Sequence, residues 1–325
     1  MLGISMKRTV YFVGLFVGLL TLSSWGFYAH KQINRMAVFT LPEGMIRFYK
    51  SNVRYITEHA VDADKRRYVD TAEAIRHYID ADRYGSAPFD SLPEKWSPAV
   101  SKYGEQSLKE NGILPWQIER NYYSLVKAFQ EKDSTAILRL SVNLGHYIAD
   151  AHVPLHTTEN YNGQLTGQAG IHAFWESRLP ELFAKNYDFF TGRAHYIESP
   201  LREAWRIIRR TYSLKDSVLG AEATLSAGFP SDLKYSFSLR NGQVIRQYSE
   251  AYSKAYDEAL KGMVQTQMRA SIAAVGSFWY SAWVDAGQPD LESLRRLESN
   301  KDERRESLRL ETLFRKGKVI GRSEN

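Results

Sequence analysis

Histidines and carboxylates recur in this chain at spacings that could hold metal ions. The run Gly145–His156 reads GHYIADAHVPLH, and IHAFWE follows at Ile171–Glu176. His146 and Asp150 are four residues apart, as are His172 and Glu176. On a helix, residues at that spacing share one face and can converge on a single ion. Pro154 should end the first helix and let His156 fold back toward the same centre. A lone His–Glu pair on a helix is weak evidence, but two His–carboxylate pairs with a third His between them form a fairly specific metal-site pattern. Upstream, HYID places His77 ahead of Asp80, and EHAVDADKRR offers His59, Asp62 and Asp64. Taken alone, that second stretch reads as a solvated charged turn. The chain has no Cys, so disulfides and thiolate ligands are excluded, and any zinc must use His, carboxylate or main-chain groups.

The elements that must position these residues are mostly helical. Ala29–Phe39, Leu108–Gln130, Ser134–Ala151 and Arg202–Arg210 carry apolar residues at helical spacing. Ser253–Val284 reads as one long final helix, with Phe278, Trp279, Tyr280 and Trp283 as core anchors. Strand-like alternation is sparse. Tyr235–Tyr248, with Asn241-Gly242 at its middle, reads as a hairpin or a loop. Gly and Pro cluster at Tyr84–Pro98 and Tyr161–Gly170, which read as loops. With 325 residues, 43% hydrophobic and 13% aromatic, the chain has ample material for a core. The expectation is an all-α, single multi-helix domain over residues 25–290 with little or no sheet. Residues 291–325, dense in Arg, Glu and Lys, should form a solvated helix and a frayed end. The formal charge of +6 falls to +4 without Lys7 and Arg8, too small a surplus to argue for nucleic-acid binding.

The N-terminus has the layout of a secretory signal peptide: Lys7 and Arg8, an apolar run from Val10 to Leu22, then Ser23 and Ser24. The run is shorter than the roughly 20 residues of a membrane span. An exported protein, periplasmic or extracellular, follows, with an uncleaved anchor as the alternative. Cleavage after residue 24 would free the amino group of Trp25, with a pKa near about 7.7–8.0. Neutral, that nitrogen can bind zinc together with the Trp25 carbonyl, and His30 lies close enough in sequence to complete a site. Otherwise Trp25 simply packs at the start of the first helix.

Together these pieces resemble the zinc-dependent phospholipase C and S1/P1 nuclease superfamily. The matching motifs are W-G-x-x-x-H at Trp25–His30, H-Y-I-D at His77–Asp80, G-H-Y-x-x-D-x-x-x-P-L-H at Gly145–His156 and H-x-x-x-E at His172–Glu176. The aromatic FWYSAWV also looks like the last helix of the phospholipase branch, so the resemblance spans roughly residues 25–287. It implies a single helical domain of the phospholipase C / P1 nuclease type holding three zinc ions. One ion would take His77, His146, Asp150 and an Asp of the DAD turn. Asp64, which follows Ala63, is preferred there, with Asp62 as the alternative. A second would take the amino and carbonyl groups of Trp25, His30 and a bridging Asp150. The third would take His156, His172 and Glu176. His152 falls where the resemblance implies no ligand, so it should either orient a ligand from behind or face solvent. Asp80 is a candidate to orient His77.

The implied chemistry is phosphate-ester hydrolysis by water made acidic between two zincs, with Asp150 as the bridge and Asp64 orienting the water or acting as base. Two substrates compete. The short Trp-to-His gap favours a nuclease acting on single-stranded nucleic acid, whereas H-x-x-x-E and the aromatic final helix favour a phospholipase C acting on phospholipid. A zinc peptidase lacks support, since H-E-x-x-H is absent. A zinc-binding protein without catalysis is the remaining class. No obligate protein partner is evident.

Overall fold

The computed structural model describes residues 27–240, 243–294, 305 and 308–313. The described chain is mainly helical, with one two-stranded antiparallel sheet. At its centre lies a helical hairpin, Leu114–Gln130 and Ser134–Asp150. Asp133 caps the second helix by accepting from the Ala136 amide at 3.0 Å. The Met263–Asp285 and Phe27–Ala37 helices pack on this pair. Trp279, fully buried, donates from its indole nitrogen to Ser141 O at 2.9 Å and stacks on Tyr49. The expected core anchor Phe278 is likewise buried, while Tyr280 and Trp283 are only partly buried. One continuous apolar cluster runs through all these elements.

Close approach of two helices depends on Gly145. A Cβ there would collide with the Asn34 side chain, which is itself buried and donates to His30 O at 3.0 Å. The absent side chain therefore lets the helix carrying His30 lie directly against the helix carrying His146.

Two expected helices are each broken in two. The final helix is broken into Glu250–Ala259 and Met263–Asp285. Lys261 and Gly262 both take positive φ, a left-handed turn that interrupts two helical patterns in similar phase. Likewise Leu108–Gln130 is two helices, Glu105–Glu110 and Leu114–Gln130, separated by Gly112 at φ +89°. There a Cβ would strike Tyr78 O, so the glycine lets this turn sit on the segment bearing His77. The hairpin is present as Tyr235–Arg240 paired with Gln243–Tyr248. The charged tail is not solvated throughout, because Leu291 and Leu310 are buried and Glu311 pairs with Lys65 at 3.2 Å. Among the described residues, no helix is long and apolar enough to cross a membrane.

Gly145→Ala should cost about 1–3 kcal/mol in chemical unfolding, through overpacking against Asn34. Gly220→Ala, whose Cβ would meet open space, should be neutral or gain up to about 1 kcal/mol. Equal effects at the two positions would contradict the packing role of Gly145.

Candidate metal centre

Eight of the residues singled out by spacing converge in the interior. His77, His146 and Asp150 form one group, and His156, His172 and Glu176 another. Two more groups, His30 with Asp64 and His146, and His30 with Asp150 and Glu176, join them into one cluster. Within each group the ligand atoms lie within 4.8 Å of one another. Asp150 faces two ways: Oδ2 lies 3.0 Å from His77 Nδ1 and 3.4 Å from His146 Nε2, while Oδ1 lies 3.3 Å from His30 Nε2. Glu176 does the same, with Oε2 at 2.8 Å from His172 Nε2 and 3.4 Å from His156 Nε2, and Oε1 at 3.1 Å from His30 Nε2. These buried nitrogens and oxygens could hold metal ions, and the donor set fits a borderline cation such as zinc.

Main-chain carbonyls fix which ring nitrogen His146, His156 and His172 present. His146 Nδ1 donates to Ala60 O at 2.9 Å, and His156 Nδ1 donates to His77 O at 2.7 Å. His172 Nδ1 reaches Tyr161 O at 3.3 Å. Each such bond turns Nε2 toward the cluster. The His77 and His156 segments are tied reciprocally, since the Ile79 amide also donates to His156 O at 2.9 Å. Ahead of His172, the loop is held by Asn162, whose side-chain oxygen accepts from the Gly170 amide at 2.9 Å. Gln168 anchors the same loop to the buried carboxylate of Glu222 at 2.6 Å. Glu176 sits in a π-helical turn, Phe174–Arg178, and the wider turn still brings its carboxylate onto His172. Behind it, Phe174 stacks on Tyr248 at the hairpin root, with ring centroids 3.9 Å apart.

His77 is reversed relative to the others, presenting Nδ1 to the cluster. Its Nε2 lies 3.5 Å from Glu73, a fully buried carboxylate that also takes Arg66, Arg76 and the Tyr147 hydroxyl. Asp80 was the sequence candidate for that place; Glu73 occupies it. The pair is again four residues apart, E-x-x-x-H, a spacing that would have revealed it. Of the two acidic residues in the DAD turn, Asp64 faces the site, 3.5 Å from His146 Nε2 and 3.7 Å from His77 Nδ1. Asp62 turns away to His59 at 2.6 Å and Lys65 at 3.7 Å. His152 is buried rather than solvent-facing, and its Nδ1 donates to Ile148 O at 2.8 Å. Burial, with Arg210 and Arg206 adding to it, pulls its pKa down to about 4 despite that bond. Trp25 and the expected signal segment lie outside the described residues.

The electrostatics are those of a site built for cations. Burial alone would push the Asp64, Asp150 and Glu176 carboxyls up. The histidines, His146 foremost for the two Asp and His156 for Glu176, hold all three below the usual carboxylate range. Burial likewise pulls the imidazoles down but loses. The hydrogen bond to Asp150, the Glu73 carboxylate close to Nε2 and the charges of Asp150 and Asp64 push His77 up to about 10. Glu176, Asp150 and Asp64 push His30 up to about 9. Two ring nitrogens, His30 Nδ1 and His77 Nε2, are buried without a hydrogen bond.

No family profile matches this chain, and no curated protein matches it. The geometry therefore carries the functional argument.

Metal uptake should expel protons. Below about pH 9 the metal-free site keeps His30 and His77 protonated, and a metal requires their lone pairs. Apparent affinity should climb as pH rises toward about 10 and level off above. Zinc titration calorimetry at about pH 7.5, in two buffers of different ionisation enthalpy, should give heats that differ by more than one proton's worth. Buffer-independent heats would contradict the coupling.

Proposed function

We propose that this chain is an exported phosphodiesterase using three zinc ions, of S1/P1 nuclease type and acting on single-stranded nucleic acid. The observation that carries this reading is one cluster of eight nitrogen- and oxygen-bearing side chains, seven of them buried, joined through the two oxygens of Asp150. Zinc held there would supply Lewis acidity toward a phosphate ester and acidify a water.

The chain's own residues have separable tasks. Asp150, at 1% side-chain exposure, has its two oxygens in different groups and would be the residue shared by the ions held there. Asp64, at 19%, is the most open carboxylate of the cluster, so it is the one placed to orient a water or take its proton. Glu176 links His30 to the His156–His172 pair and completes the third set. Glu73 orients His77 from behind, with Arg66 and Tyr147 fixing its own position. Three zincs at +6, less the charges of Asp64, Asp150 and Glu176, leave the site positive, which suits an anionic phosphate.

Support for the nucleic-acid substrate comes from an open groove on the outer face of the Leu114–Gln130 helix. Trp96 and the exposed Tyr123 offer rings to stack bases, and Arg120 and Lys127 offer cations for phosphates beside Glu119, while Trp116 is buried, edge-on to Trp96 and Trp205. A phospholipase C reading is favoured by a different feature. Phe237, Leu239 and Val244 share one face of the hairpin, and each is more than 70% exposed. Such an apolar face suits a lipid interface.

The mature protein should release nucleotides from single-stranded DNA or RNA, and EDTA should stop it. Chelator-sensitive phosphocholine release from phosphatidylcholine micelles would instead establish the phospholipase reading. Inactivity on both substrates by zinc-loaded protein would favour a zinc-binding role without catalysis. Asp150→Asn should lose two of the three metals together, and activity should fall at least about 10²-fold. Full zinc content with full activity in that variant would refute the bridging role.

A further inference from the structure

Away from the metal cluster, a cavity of about 200 Å³ opens between the Pro200–Tyr212 and Met263–Asp285 helices. Its volume lies below the roughly 300–1,000 Å³ of sites for drug-sized ligands, so it suits a small ion or ester. The space exists because the Met263–Asp285 helix presents only Ala270, Ala273 and Ala274 to it. The opposite walls are polar: His152, His195, Glu203, Arg206 and Arg210.

The partners already made by these side chains show what is left over. Arg206 is engaged by Glu203 at 2.7 Å, which neutralises that pair. Arg210 has no ion pair or side-chain hydrogen bond among the described residues, so the cavity keeps one net positive charge from Glu203, Arg206 and Arg210. The Ser277 hydroxyl donates to Ala273 O at 2.7 Å, so it accepts from His195 Nδ1 at 3.1 Å. His195 Nε2 remains. In His152, only 6% exposed, Nδ1 is spent on Ile148 O, which again leaves Nε2.

We propose that this cavity binds inorganic phosphate or a small phosphate monoester, held by Arg210 and by the Nε2 atoms of His152 and His195. A guanidinium matches phosphate oxygens in charge and in its planar fork. Each imidazole Nε2 without hydrogen needs a P–O–H donor, so a phosphate that retains one P–O–H engages one of the two rings, and dihydrogen phosphate engages both. The site does not depend on the zinc chemistry proposed above. His152 is a binding residue here and is not part of the metal cluster.

Histidine-ring NMR on the full protein tests the assignment. Inorganic phosphate is titrated at constant ionic strength against chloride, and glycerol 3-phosphate is titrated in parallel. The His152 and His195 ring signals should shift saturably with at least one phosphate and not with chloride. The tighter of the two names the source, free ion or monoester. Arg210→Gln, at an exposed position, should weaken binding at least about tenfold, or about 1.4 kcal/mol, and leave the melting temperature unchanged. Three results would overturn the site: shifts that grow linearly with no saturation, meaning an adventitious ion only; unchanged affinity in Arg210→Gln; or saturable shifts confined to His30, His146 and the other cluster rings.

Discussion

Burying Asp64, Asp150 and Glu176 among five imidazoles is the constraint on which the rest of the fold depends. Like-charged carboxylates at this depth are tolerable only with positive charge between them, and each faces two or more histidine nitrogens. In the metal-free state, protons on His30 and His77 supply part of that charge. Metal ions would supply more of it from the same positions. The surrounding structure keeps eight side chains in register for this exchange. Carbonyls of Ala60, His77 and Tyr161 fix ring nitrogens, Gly145 brings two helices together, and Asn162 and Gln168 pin the loop ahead of His172.

Much of this was legible in the sequence because it rests on local periodicity. The pairs His146–Asp150 and His172–Glu176 needed only a helical turn, and Pro154 ends the first helix where His156 has to fold back. The paired strands Tyr235–Arg240 and Gln243–Tyr248 follow from residue alternation, and the Asn241-Gly242 turn signal lies outside the described residues. What spacing could not supply was contact between distant segments. Nothing local places His30 against Glu176, 146 residues away. The choice of Asp64 over Asp62 depends on Lys65 and His59 claiming the other carboxylate. Glu73 stands at E-x-x-x-H spacing from His77, but its enclosure by Arg66 and Tyr147, which fixes it behind that ring, joins segments distant in sequence. The break at Lys261-Gly262 was masked by apolar patterns that continue on both sides of the turn.

The hairpin links fold and function from outside the cluster. A lone two-stranded ribbon is marginal in water. Here Tyr235 and Tyr248 stack at its root, and Tyr248 continues the stack onto Phe174, next to the turn bearing Glu176. Lys234 caps this stack while pairing with Glu222, the carboxylate that also holds Gln168. The wall behind His172 and Glu176 is thus built from a helix, a loop and a ribbon that share one buried carboxylate and one aromatic stack.

The central claim is that the eight converging side chains are a multi-metal centre, and anomalous diffraction on either side of the zinc absorption edge tests it most directly. Crystals of the protein should show zinc peaks among His77, His146, Asp150 and Asp64, between His30 and Asp150, and among His156, His172 and Glu176. A map without peaks at these positions, from zinc-supplemented crystals in which the same side chains hydrogen-bond to one another, would contradict it.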